Sequence, residues 1–152
     1  MLAGCSVQIG ATKAVAEAAS VKDVNDAEAS VGHPDGKGVW VRILALVDRK
    51  SVQRVALWEI YSHVHIVQCA SGRETNVGTE PMLEGVDFTN PHAVTAFLTG
   101  HPAMQAFRLR SLIYAREGDF KTPQCLQFEG GSYIGQKITQ MPIPIRKVGA
   151  LP

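Results

Sequence analysis

Residues 39 to 47 read Val-Trp-Val-Arg-Ile-Leu-Ala-Leu-Val and give the clearest secondary-structure signal in the chain. The stretch is rich in β-branched residues, and it lies between Gly38 and a polar run that begins at Asp48. A short apolar run with these borders is typical of a buried strand. The sequence therefore predicts a fold organised around a β-sheet.

A second strand is predicted between Val55 and Cys69. In this stretch Trp58, Ile60, Val64 and Ile66 alternate with Glu59, Tyr61, His63 and His65. Such alternation favours a half-buried strand, although residues 52–58 also fit a helix. The residues between the two runs contain neither Pro nor Gly, which predicts a loose hairpin between them.

Later stretches add further strands. Residues 107–114 place Phe107 and Leu109 in alternation with Arg108 and Arg110, which predicts a strand with one basic face. Residues 124–128 and 137–145 complete the set. Because Pro142 and Pro144 cannot donate to a sheet ladder, the last strand is expected to lie at an edge or to end before them.

One short helix is predicted from Asn90 to Gly100. Asn90 is a good cap, Pro91 suits the first helical position, and Gly100 followed by Pro102 stops the helix. Together these elements predict a mostly β fold with a minor α component, with five or six strands and this one helix. The expected architecture is an antiparallel β-sandwich or a curved antiparallel sheet.

Composition limits the size of the protein and its class of partner. The 152 residues are 45% hydrophobic and 19% charged, which predicts a single folded domain. The net charge of +1 gives no electrostatic reason to bind nucleic acid. No apolar run approaches the ~20 residues that a membrane-spanning helix needs.

The two ends of the chain differ in composition. All ten aromatic residues lie between Trp40 and Tyr133, and the earlier residues are mostly small or polar. Because a core needs large apolar side chains, the globular domain is expected to cover residues 38–152. Residues 1–37 are expected to form a flexible tether, with a weak Ala-rich helix between residues 11 and 30.

The first residues carry a possible export signal. Leu2-Ala3-Gly4-Cys5 resembles the lipobox of bacterial lipoproteins, in which the cysteine receives a lipid, although no basic and apolar leader precedes it here. The resemblance implies lipidation of Cys5 and attachment to a bacterial membrane through the lipid alone. The expected location is the periplasm, and the alternative is the cytoplasm.

The two remaining cysteines are Cys69 and Cys125, both at the ends of predicted strands. In an oxidising periplasm they are expected to form a disulfide. In the cytoplasm they are expected to be buried free thiols.

Few residues suggest chemistry. His63 and His65 would lie on one face of a strand, within reach of a single metal ion. Because no nearby motif supplies a third ligand, neither a metal nor another cofactor is predicted. Ser132 lies in a Gly-rich loop without the context of a nucleophile elbow. The sequence therefore favours a protein without catalytic activity.

Binding residues are predicted from exposure and charge. The candidates are Arg73, Arg108, Arg110 and Tyr133, which lie in polar loops or on the basic strand face. Small β-rich lipoproteins of this kind resemble the immunity and inhibitor lipoproteins of bacteria, and residues 125–133 are similar to the C-terminal region of some of them. The resemblance implies that a preformed loop neutralises a protein partner, a secreted toxin or hydrolase.

Two other functions are compatible with the sequence. The first is a small-ligand-binding protein or an enzyme with a pocket near His63, His65, Arg108 and Arg110. The second is a structural component of the envelope that assembles through a long unpaired strand edge.

Overall fold

The computed structural model describes residues 6–152, which form a β-sandwich with three helices. The elements in chain order are β1 (Ser6–Gln8), β2 (Ala11–Ala18), α1 (Val21–Val31), β3 (Gly38–Asp48), α2 (Arg49–Leu57), β4 (Tyr61–Gln68), β5 (Glu74–Val77), β6 (Met82–Leu83), β7 (Val86–Asp87), α3 (Pro91–Gly100), β8 (Ala106–Arg116), β9 (Gln124–Gly131), β10 (Lys137–Thr139), β11 (Ile143–Pro144) and β12 (Arg146–Lys147). The mostly β fold predicted from the sequence is confirmed.

The strands form two six-stranded sheets. The first sheet has the order β1-β10-β9-β4-β5, with β11 also paired to β9, and the second has the order β12-β2-β3-β8-β6-β7. Within the described residues, β1 pairs with β10 and β12 pairs with β2 in parallel, whereas the other pairs are antiparallel. Both sheets are therefore mixed, because strands near the two chain ends join the sheet edges in parallel.

The core lies between the two sheets. The odd positions of β3 from Val41 to Val47 face inward, as do Val64 and Ile66 of β4 and Leu126 and Phe128 of β9. Even positions of β3 and odd positions of β4 face away from the core, which follows from the two-residue period of a strand. The alternation in the sequence thus determines which side chains lie on the outer faces of the sandwich, where they can contact other molecules.

The predicted tether is wrong for the part of residues 1–37 that the structure describes. β2 pairs with the central strand β3, and Ala14 and Ala16 are buried in the common core. Small side chains suit this position because they let a strand pack closely against larger residues of the facing sheet. Gly38 begins β3, but it does not mark a boundary between a tether and the domain.

The predicted hairpin between residues 39–47 and 55–69 is also wrong. β3 belongs to the second sheet and β4 to the first, and α2 connects them. α2 begins because the Asp48 side chain accepts a hydrogen bond from the Ser51 backbone N–H at 2.8 Å, and it buries Val52 and Val55. The helical alternative at residues 52–58 was the correct one.

The remaining predicted elements agree with the structure. α3 has Asn90 as its cap and Pro91 in its first turn. The strand predicted over residues 137–145 ends as β10 before Pro142, and β11 resumes the pairing with β9. The helix expected between residues 11 and 30 forms only from Val21 onwards, as α1, because residues 11–18 form β2. The short strands near the chain ends were not predicted as separate elements.

Candidate functional site

Cys69 and Cys125 form a disulfide, with their Cα atoms 5.1 Å apart. Cys69 follows β4 and donates its backbone N–H to the Pro123 carbonyl at 3.1 Å, and Cys125 lies on β9. The disulfide therefore links the connection between β4 and β5 to β9. The predicted pairing is confirmed, because this Cα separation lies within the range that a disulfide can bridge.

His63 and His65 share the outer face of the first sheet, as the sequence predicted. Their ring centroids lie 6.4 Å apart, and the ring of Tyr61 packs edge-on against His63 at 4.5 Å. Tyr61, His63 and His65 thus form a continuous row along β4, which we call the β4 row.

Two acidic residues join this row from neighbouring strands. Glu74 of β5 contacts Nδ1 of His65, and Glu129 of β9 has Oε2 3.5 Å from Nε2 of His65. Neither acid was predicted as a site residue. Their contact with His65 depends on the register of three strands, and no local sequence motif indicates that register. The row therefore has an imidazole between two carboxylates at one end and an aromatic ring at the other.

A tight turn projects from the sandwich next to Tyr61. The Gly135 backbone N–H donates to the Ser132 carbonyl at 3.1 Å, and the Ser132 N–H donates to the Gln136 carbonyl at 2.9 Å. The hydroxyl of Ser132 accepts a further bond from the Gln136 N–H at 3.2 Å, which gives this serine a structural role. Between these bonds Tyr133 is fully exposed and Ile134 is 72% exposed. We call residues 132–135 the Tyr133 turn.

Gly130 lets the base of the turn lie directly against β4. A Cβ atom at this position would lie 1.9 Å from the Tyr61 carbonyl oxygen, so a larger residue does not fit. Close approach of two backbones is a common reason for glycine in a strand. The glycine fixes the Tyr133 turn beside Tyr61.

An open groove of about 500 Å³ lies between the Tyr133 turn and the start of α3. Its lining residues are Glu59, Tyr61, Thr89, Pro91, Gly131, Ser132 and Tyr133. Partial burial raises the pKa of the Tyr61 phenol, and the negative charge of Glu80, 3.5 Å from the hydroxyl, adds to this effect. Tyr61 is therefore a neutral, half-exposed aromatic residue at neutral pH that can contact a partner.

The structure does not bring the predicted binding residues together. Arg108 and Arg110 lie on the outer face of the second sheet, whereas Tyr133 and Arg73 belong to opposite ends of the first sheet. Arg110 forms an ion pair with the buried Asp23, and Arg108 lies 3.6 Å from Glu84. A pocket that combines His63 and His65 with the two arginines is not formed, because the pairs lie on opposite sides of the sandwich.

Cys5 and the rest of the lipobox-like motif lie outside the residues that the structure describes. Within residues 6–152, none of the helices is both long and apolar enough to span a membrane.

Comparisons with known proteins give one weak structural likeness. No family model matches the sequence, and no curated protein does. A solved structure of an uncharacterized beta-sandwich protein from Clostridium difficile 630 is similar, with 10% sequence identity and a TM-score of 0.31. The likeness covers 90% of this chain and 80% of that one.

Proposed function

We propose that the protein is a non-catalytic binding protein of the bacterial periplasm that neutralises a secreted toxin or hydrolase by inserting the Tyr133 turn into its cleft. The observation that carries this proposal is the exposed Tyr133–Ile134 pair on a turn held by its own hydrogen bonds. Tyrosine is enriched among the residues that dominate protein interfaces. A turn that is already fixed loses little conformational entropy on binding.

The surroundings of the turn favour a protein partner over a small ligand. The groove beside Tyr133 is open, and it combines aromatic and polar groups around a projecting tip. Small ligands are usually enclosed by concave, mostly apolar pockets. A projecting tip with a shallow groove beside it is better suited to a cleft in another protein.

The alternative of a structural envelope component has less support. Within the described residues, the strands at the sheet edges are short: β1, β5, β7 and β12 contain between two and four residues each. Long unpaired edges favour edge-to-edge assembly, and short edges reduce it.

The partner proposal is tested by capture followed by inhibition. The immobilised full chain is exposed to secreted proteins of the native host, and any captured hydrolase or toxin is assayed with increasing amounts of the protein. We expect stoichiometric inhibition. Tyr133→Ala combined with Ile134→Ser should weaken it at least ~30-fold, because an aromatic anchor contributes about 2 kcal/mol or more.

Val31→Ser is the matched control, since it removes an exposed apolar side chain from α1 and leaves the Tyr133 turn unchanged. Unchanged inhibition by the Tyr133→Ala, Ile134→Ser variant would contradict the proposed mode of binding. Capture without any effect on the partner's activity would contradict neutralisation.

The periplasmic location is supported by the lipobox-like residues 2–5 and by the disulfide, which is typical of oxidising compartments. We expect a Cys5→Ala variant of the full-length gene product to move from the membrane to the soluble fraction after cell lysis. Fractionation and intact-mass analysis measure this change, with Ser6→Ala as a control for a substitution beside Cys5 that keeps all three cysteines. Membrane retention of the Cys5→Ala protein would contradict a lipid anchor.

A further inference from the structure

His65 is held between two carboxylates on the outer face of the first sheet. Each of His65, Glu74 and Glu129 offers one possible ligand atom, and these atoms lie within 4.8 Å of one another. The His65 side chain is 14% exposed, whereas those of Glu74 and Glu129 are about half exposed. The imidazole is therefore fixed in place, and the carboxylates are able to adjust around it.

The two contacts of His65 differ in a way that suits metal binding. The 3.5 Å between Nε2 and Glu129 Oε2 is too long for a good hydrogen bond. It is close to the roughly 3.3 Å expected between two ligand atoms that both lie 2.0–2.1 Å from a tetrahedral zinc ion. Glu74, in contrast, contacts Nδ1 closely.

A carboxylate on one ring nitrogen is a common feature of metal-binding histidines. It holds the proton on Nδ1 and leaves the Nε2 lone pair for the ion. With the proton on Nδ1, Glu74 would position His65, and the lone pair of Nε2 would face Glu129. Because Glu74 comes from a different strand than either Glu129 or His65, three strands contribute to the arrangement.

His63 supplies a further donor. It lies directly opposite Glu129 in the β4–β9 ladder and on the same face as His65. The ligand atoms that lie within 4.8 Å of one another do not include those of His63, whose ring packs against Tyr61. To join them, the His63 ring would have to turn towards Glu129, a short step because residues directly opposite in an antiparallel pair have Cβ atoms about 5 Å apart. Two imidazoles and a carboxylate are a donor set that suits zinc and copper better than magnesium or calcium.

We infer that His65, Glu129 and His63 bind a divalent transition metal ion of the zinc class, with Glu74 as the positioning carboxylate. The site shares no residue with the Tyr133 turn, and zinc binding can be measured without a partner protein, so the inference does not depend on the proposed function. Solvent has access to the ion through the exposed carboxylates, which leaves a coordination position for water or for a group from another molecule.

The test is calorimetric titration of zinc into the metal-free full chain. A Cys5→Ser background removes the thiol that would compete for zinc, and Cys69 and Cys125 are already joined to each other. We expect one zinc ion per chain. His65→Gln should weaken binding about 100-fold or more, since even the loss of a positioning carboxylate costs 10–100-fold. Glu74→Gln should weaken it within that smaller range.

Two further variants keep the test decisive. Glu129→Gln changes a half-exposed ligand and is expected to weaken binding even if His65→Gln does not fold. His33→Gln is the matched control, because the exposed His33 pairs with a carboxylate, that of the partly buried Glu28, on another part of the surface, with 3.0 Å between Nδ1 and Oε2.

Zinc binding that is lost with His65 or Glu129 and kept in the His33 variant supports the site. Absence of binding, equal binding by the Glu129→Gln variant, or equal loss with His33→Gln overturns it. Calcium provides a last comparison. Tight calcium binding that persists in the His65→Gln variant would also overturn the site. It would show that the carboxylates of Glu74 and Glu129 bind the ion without a histidine.

Discussion

Removal of the disulfide through Cys69→Ser and Cys125→Ala together is expected to lower the free energy of unfolding by about 4 kcal/mol. The two cysteines are 56 positions apart, so the bond closes a long loop and restricts the unfolded chain strongly. Alanine is chosen at position 125 because that side chain is buried, and a serine hydroxyl would lack a partner there. Urea unfolding of the oxidised protein and of the variant measures the difference.

The control is the response to a reducing agent. Reduction should destabilise the wild-type protein by a similar amount and should leave the double variant unchanged. The Cys5→Ser variant should be as stable as the wild-type protein when both are oxidised, and again when both are reduced. Equal stability of the reduced and oxidised wild-type protein would show that the bond contributes little to the folded state.

The strands at the centre of the fold could be predicted from the sequence, because the period of their side chains is local information. Residues 39–47 and the alternation around His63 identify β3 and β4, and Asn90 with Pro91 identifies α3. These signals depend on neighbouring residues alone. They do not indicate which strands pair with each other. The assignment of β3 and β4 to different sheets therefore required the structure.

The N-terminal strands were missed for a different reason. Large aromatic side chains mark only part of a core, and Ala14 and Ala16 are buried in this one although they are small. The sequence does contain a local signal for the start of α1. Ser20 and Asp23 form a capping box, in which each side chain accepts a hydrogen bond from the backbone N–H of the other.

The site was partly predictable. The spacing of His63 and His65 predicted a shared face, and the Gly-rich stretch around Tyr133 predicted a loop. Glu74 and Glu129 could not be connected with His65, since the connection depends on the registers of β5 and β9 against β4. Arg110 was predicted as a binding residue because it lies on a basic strand face. Its ion pair with Asp23 could not be predicted, since the two residues are 87 positions apart in the sequence.

Asp23→Asn is expected to lower the free energy of unfolding by about 2 kcal/mol, because it breaks an ion pair whose acidic partner is buried and leaves the partly exposed Arg110 charge without a partner. The Asp23 side chain is 3% exposed, and it links α1 to the outer face of the second sheet through Arg110 and Arg42. Arg42 keeps Glu17 as a second partner at 2.6 Å, so most of the cost falls on Arg110. Thermal or urea unfolding at neutral pH measures the loss.

The effect also depends on pH. Burial alone would raise the pKa of Asp23, but hydrogen bonds from Ser20 and the charges of Arg110 and Arg42 outweigh it and lower the pKa below 3.8. A carboxylate with a lowered pKa in the folded state stabilises the protein above its unfolded pKa and loses that contribution as the pH falls through the folded value. The difference between wild type and Asp23→Asn should therefore be largest above about pH 5 and should shrink below pH 4.

Asp26→Asn on the same helix is the matched control. Asp26 forms an exposed pair with Lys22 at 3.0 Å, and such pairs contribute about 0.5 kcal/mol or less. The double variant Asp23→Asn with Arg110→Met then separates two causes of the loss. If the unpaired arginine is responsible, removal of its charge should restore part of the stability, because a buried pair can be replaced by apolar groups at little cost. If the double variant is no more stable than Asp23→Asn, the capping box at Ser20, and not the ion pair, accounts for the contribution of Asp23.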